Sequence, residues 1–312
     1  MLLFVAILAI ARPKPAKIKG CDTATCNLYA DVVKFSVQTA VEPCNDYYQH
    51  VCGGWLRQRR DSVREGMLTT FATRVSQLAR RLIVPAHFQT PRERAAMAYT
   101  ACADTASKYT KVAPEDVSPW PYAVKMVSGV EKTAPLLARV YREELDFSLM
   151  PYALAFPVYE SDAPLSAKYG ALGSVVGASL AELFFANGSW TGATEVKLTN
   201  EISCLLSRKK NASSLSLLEW EQMFRFASVE AIWRAYRAAR ANREPEYIEN
   251  APDMRGDRLF FFTWCFLQCG ETFGRDACNG PLMHSTAFAD AHHCAKGTPM
   301  RKKWPCALLT AE

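Results

Sequence analysis

Pro43-Cys44-Asn45-Asp46-Tyr47-Tyr48-Gln49-His50-Val51-Cys52-Gly53-Gly54-Trp55 packs two cysteines, three aromatic residues and a glycine pair into one short stretch. A second cysteine pair, Cys21 and Cys26, lies upstream, and Cys269, Cys294 and Cys306 lie near the other end of the chain. The chain holds 11 cysteines, so at least one is left without an intramolecular partner. It begins with Met1 to Ala11, an apolar run closing on Ala9-Ile10-Ala11 before a basic segment. That pattern predicts a signal peptide over residues 1–11, because the run is too short to span a bilayer as a helix. Export makes disulfides the natural state of the cysteines. It would also make Asn187-Gly188-Ser189 and Asn211-Ala212-Ser213 usable for N-glycosylation at Asn187 and Asn211.

Among the 312 residues, 49% are hydrophobic, which is enough for a real core and excludes a disordered or collagen-like chain. The 37 Lys and Arg exceed 31 Asp and Glu by +6, without the dense basic stripe of a nucleic-acid binder. Arg57, Arg59, Arg60, Arg301, Lys302 and Lys303 therefore read as solvated faces, with a processing site at Arg57-Gln58-Arg59-Arg60 as the alternative. Apolar residues recur at helical spacing in three places, and each stripe predicts an amphipathic helix with its apolar side in the core. The first is Met67, Phe71, Val75, Leu78 and Leu82, over 66–83. The second is Val176, Leu180, Leu183 and Phe184, and the third is Val229, Ile232, Trp233 and Tyr236, over 219–242. Few segments alternate as strands do. Residues 108–122 carry three prolines without a period and read as a junction.

The opening motif resembles the start of the ectodomain in the neprilysin and endothelin-converting-enzyme family of zinc metallopeptidases, which has a C-x4-C pair followed by PCxDFYxYxCGxW. Near the other end, Leu259-Phe260-Phe261, Cys269-Gly270 and Phe288-Ala289-Asp290-Ala291-His292-His293-Cys294 through Thr298-Pro299-Met300 resemble that family's terminal segments. The likeness covers about 21–102 and 150–306. It implies a mainly α-helical, disulfide-braced catalytic lobe, lacking most of the second helical lobe. The implied organisation is a leader (1–11), a neprilysin-like N-terminal segment (12–107), a shortened junction (108–149) and a degenerate catalytic lobe (150–312).

Such peptidases hold zinc with two histidines of an H-E-x-x-H helix and a glutamate of a downstream E-x-x-x-D helix. The i, i+4 spacing puts both histidines on one helical face, and the intervening glutamate is the base that activates zinc-bound water. Here the aligned frame runs without a gap from Lys168-Tyr169-Gly170 through Gly173 and Gly177. Ala178 stands at the first histidine, Ser179 at the base and Glu182 at the second histidine. Glu221 keeps the third ligand position, Arg225 replaces the aspartate, and Ala277 stands where the family carries a transition-state arginine. His50, His87, His284, His292 and His293 complete the histidines, and none belongs to an H-E-x-x-H. The Cys/His-rich stretch from Cys265 to Cys294 reads as disulfides with surface histidines rather than a zinc site.

By resemblance the expected disulfides are Cys21 with Cys26, Cys44 with Cys294, Cys52 with Cys269 and Cys204 with Cys306. Cys102, Cys265 and Cys278 are left over, with Cys102 either free or paired with Cys278. Family members are more than twice as long, and the shortfall lies mainly between about 104 and 145. The implied function is a secreted, catalytically inactive protein without a zinc cofactor or a stable membrane span. It would act on peptides or on a full-length relative by binding, and not on nucleic acid. Two alternatives are a residually active zinc metalloendopeptidase and a truncated, non-functional gene product.

Overall fold

The computed structural model describes residues 20–111, 136–186, 191–206, 215–241 and 246–306. The leader, Asn187, Asn211 and most of the proline-rich junction lie outside the described residues. The chain is 61% helix and 7% strand.

The opening motif builds the first helix pair. In α1 (Ala24–Ser36), Cys26, Tyr29, Ala30 and Val33 are buried at i, i+3, i+4 and i+7, and Thr23 caps the helix by accepting from Cys26 N. In α2 (Tyr47–Gln58) the cap is Asp46, whose carboxylate accepts from Gln49 N at 3.1 Å. The same carboxylate accepts from Asn279 Nδ2 at 2.8 Å, while Asn279 Oδ1 accepts from Tyr48 N at 2.7 Å. The cap thus ties the N-terminal segment to the far end of the chain.

Helices α3 (Val63–Arg81) and α4 (Pro91–Thr110) each begin with a capping box, Ser62 with Glu65 and Thr90 with Glu93. They pack against each other. The periodic stripe on α3 is buried only at Met67; Phe71 packs on the core edge, and Leu78 is 51% exposed. This corrects the expectation of a continuous core face. Strands β1 (Ala138–Tyr141) and β2 (Asp146–Leu149) then form an antiparallel hairpin with Ala138 opposite Leu149 and Tyr141 opposite Asp146. A 3-10 turn, Pro151–Leu154, leads onward.

The centre of the fold is a crossing of three helices. α5 (Leu165–Ala186) packs on α7 (Leu217–Arg240) and on α8 (Asp257–Phe266). Between α5 and α7 lies α6 (Gly192–Leu205). Every residue of α8 from Leu259 to Phe266 is buried, as its apolar run demands. The third periodic stripe holds: Val229, Ile232 and Tyr236 of α7 are buried and Trp233 packs at the core edge. The second does not. Leu180 and Phe184 are about half exposed, and α5 instead buries Ala167, Gly170, Ala171, Ser174, Ser179, Ala181 and Phe185. Small residues face inward because two helices approach α5 closely. A Cβ on Gly170 would run into the carbonyl oxygen of Phe260 and Thr263 Oγ1 on α8, whereas one on Gly177 would meet chiefly the Ile232 side chain.

That difference predicts unequal costs. Gly170→Ala should destabilise by about 1–3 kcal/mol through backbone displacement. For Gly177→Ala, an Ile232 rotamer shift should be offset by a helix-propensity gain of about 1 kcal/mol, leaving the variant near neutral. Urea unfolding of the two variants checks this, and equal losses would refute it.

A small ribbon, β3 (Tyr247–Ile248) with β4 (Ala251–Arg255), receives Cys21 along its edge, where Cys21 N donates to Tyr247 O at 2.8 Å. Helices α9 (Gly274–Leu282) and α10 (Thr286–Ala291) close the core. Five disulfides brace it: Cys21–Cys26, Cys44–Cys294, Cys52–Cys269, Cys204–Cys306 and Cys265–Cys278. Cys102 on α4 is free and exposed, which decides the question that the sequence left open.

Candidate functional site

The frame residues of α5 and α7 converge. Ala178, Ser179 and Glu182 from α5 and Glu221 and Arg225 from α7 line one cavity of about 240 Å³. Ala277 is not among them; it is buried on α9. Three more parts complete the wall, and nothing in the sequence marked them: Arg64 from α3, Leu267 and Gln268 just after α8, and the β1–β2 hairpin with Arg142 in its turn. Leu136, Val140, Val175, Trp220 and Phe224 supply an apolar lining. Phe224, Trp220 and Phe185 stack beneath it, with Trp220 and Phe224 centroids 5.6 Å apart.

Each polar group at the frame positions is already engaged. Ser179 is 5% exposed, and its hydroxyl donates to Val175 O at 3.0 Å, one helical turn back. Glu182 Oε1 accepts from Arg142 Nη2 at 2.8 Å and Nε at 3.0 Å. Glu221 Oε1 accepts from Arg225 Nη2 at 2.8 Å and Nε at 3.3 Å, the i, i+4 pairing of one helix face. The Arg225 charge beside Glu221 holds its carboxyl below the usual carboxylate range. Arg64 is buried; its Nη2 donates to Gln268 Oε1 at 2.9 Å and its Nε to Leu267 O at 3.2 Å. Burial first, and then the Arg225 charge, pull the Arg64 pKa down. Two guanidinium groups therefore repel each other across one small cavity.

The residues present do not fit a catalytic zinc ion. Such sites take three nitrogen, sulfur or carboxylate ligands from the protein. The cavity offers two carboxylates, each held by an arginine, and a buried arginine adds positive charge where a cation would sit. Among the described residues, no group of three or more His, Cys, Asp or Glu side chains is placed to hold a metal ion. None of the five histidines lines the cavity. His50 Nδ1 lies 2.6 Å from Val41 O, His284 Nδ1 accepts from Cys306 N at 3.0 Å, and His292 packs between the Tyr47 and Phe288 rings. In the C-terminal Cys/His-rich stretch, Cys265, Cys269, Cys278 and Cys294 are all consumed by disulfides.

Comparison with known proteins points to neprilysins. The chain is 22% identical over 188 residues to human (Homo sapiens) membrane metallo-endopeptidase-like 1, covering 49% of this chain and 24% of that protein. It is 24% identical over 215 residues to neprilysin-2 of Caenorhabditis elegans, covering 56% of this chain and 28% of the relative. A 38-residue stretch, 12% of this chain and 5% of the relative, is 40% identical to neprilysin-1 of Trittame loki. No family model matches. The chain spans about a quarter of the length of the first two curated relatives. It is neprilysin-like in sequence, mainly α-helical and braced by disulfides. No described helix is long and apolar enough to cross a membrane.

Proposed function

We propose that this is a secreted, neprilysin-like pseudopeptidase, which holds a peptide or a protein partner, such as a full-length relative, without cutting it. The observation that carries the reading is the cavity where α5 and α7 meet. Its positions aligned with the zinc ligands and the base hold a methyl group, a hydroxyl bonded to its own helix, and two carboxylates tied to arginines. Metal-assisted hydrolysis needs a polarising ion and an activated water. The cavity supplies neither a three-ligand set nor a base free to take a proton. Five disulfides and the apolar leader support export. With the leader removed and Asn187 and Asn211 exported, both sequons become glycosylation sites.

The test is turnover. The full chain, secreted from an oxidising host, is incubated with a mixture of unstructured peptides in micromolar zinc, and in parallel with EDTA. The expected result is identical peptide profiles in both arms. Zinc-dependent, EDTA-sensitive cleavage would overturn the reading in favour of a residually active metalloendopeptidase.

A further inference from the structure

We propose that the cavity between α5, α7 and the β1–β2 hairpin is a carboxylate site that takes the C-terminal carboxylate of a peptide ending in an apolar residue. This rests on the reading of the chain as a binding protein and names what it binds. The argument is one of charge. Three guanidinium groups, Arg64, Arg142 and Arg225, line the cavity against two carboxylates, Glu182 and Glu221. Each of those carboxylates spends one oxygen on the Nε and Nη2 of its own arginine. Arg64 has no such partner. Its printed hydrogen bonds go to the uncharged oxygens of Leu267 and Gln268, and the nearest carboxylate, Glu271, lies 3.8 Å from Nε with its buried Oε1 making no hydrogen bond. Arg64 is 7% exposed, so its charge is buried beside that of Arg225 without full compensation. Such an arrangement is costly unless an anion completes it.

The excess of one positive charge matches a monoanion rather than a phosphate dianion, and the planar guanidinium fork matches a carboxylate. The apolar wall of Val140, Val175 and Phe224 would accept the side chain next to that carboxylate. A volume of about 240 Å³ suits a terminal residue and not a folded domain.

Calorimetric titration of the full chain in EDTA tests the proposal with three probes: a short peptide ending in Leu-Phe as the free acid, the same peptide as its C-terminal amide, and acetate. The acid should bind at least tenfold more tightly than the amide and should outcompete acetate. Equal affinity for acid and amide would show a merely apolar pocket and overturn the proposal, as would no binding by either. Acetate binding as tightly as the acid would assign the site to a small free anion and overturn the peptide assignment. Arg225→Gln should abolish the preference for the acid. Arg142→Gln, at a side chain 57% exposed and tolerant of replacement, should weaken the acid severalfold and leave the amide unchanged. Acid affinity unaltered in a folded variant would contradict the assignment. Because EDTA removes zinc from every arm, a protein found to cleave peptides would fail the function test without deciding this one.

Discussion

Replacing Cys52 and Cys269 together by alanine is expected to cost the protein about 5 kcal/mol of unfolding free energy, by the loop-entropy relation for a cross-link. The reason is the separation of 217 residues that the bond closes. Both cysteines are fully buried, Cys52 on α2 and Cys269 just beyond α8, so the bond also pins the opening motif to the centre of the core. Helices α2 and α8 pack through Trp55 and Phe266, whose rings meet edge-on at 5.4 Å, and that contact would survive only as long as the two ends stay docked. The Cys21–Cys26 bond closes a separation of only 5 residues, and its removal should cost about 2 kcal/mol on the same relation. Urea unfolding of the two double variants measures the difference. Equal losses would show that the long-range bond is not what holds the N-terminal segment down.

Acidification should remove a comparable amount. Burial first, then the charges of Arg258, His50 and His293, push His292 down to about 3. Burial and the charge of Lys302 push His284 down to about 4. The geometry agrees. His292 Nε2 is buried without a hydrogen-bond partner, and His284 Nδ1 is occupied as an acceptor from Cys306 N. Protonating either ring would bury an unpaired charge or break that bond. The folded values lie below the unfolded value of about 6.5, so the unfolded chain takes up the protons first. The stability these groups contribute is therefore complete above about pH 6.5 and is lost as pH falls from there toward the folded values. Between pH 7 and pH 5 the two histidines together should cost up to about 4 kcal/mol, at about 1.4 kcal/mol per pH unit for each. Glu221, whose carboxyl is depressed, adds its own loss only below the ordinary carboxylate range. Denaturant unfolding at a series of pH values checks the slope, and His292→Gln should roughly halve it between pH 6 and pH 5. A protein equally stable at pH 7 and pH 5 would contradict this account.

How far the sequence could be read depends on what kind of surface each element buries. The α7 stripe was legible because Val229, Ile232 and Tyr236 are large and point into the core at helical spacing. On α5 the same logic selected Leu180 and Phe184, which are exposed, because the helix is squeezed between two neighbours and buries glycine, alanine and serine. Hydropathy does not register a face chosen for closeness. The glycines at 170, 173 and 177 were the better signal, since each sits where a neighbouring helix leaves little or no room for a side chain. The cavity was half legible. Ala178, Ser179, Glu182, Glu221 and Arg225 could be named from two aligned motifs and are brought together by α5 and α7. Arg64 and Arg142 could not, because one sits beside an ordinary capping box and the other in a hairpin turn within the stretch read as a junction. Only the tertiary fold places them in the same cavity. The four disulfides that the resemblance implied are present, and the fifth, Cys265–Cys278, depends on α8 and α9 packing together.

The central claim is that the cavity where α5 and α7 meet has exchanged a zinc site for arginine-paired carboxylates. Elemental mass spectrometry of the full chain, purified from an oxidising host without chelators and then equilibrated with micromolar zinc, tests it most directly. The account predicts far less than one zinc per chain, unchanged in a Glu182→Ala variant. One zinc per chain, lost when Glu182 or Glu221 is replaced by alanine, would contradict it.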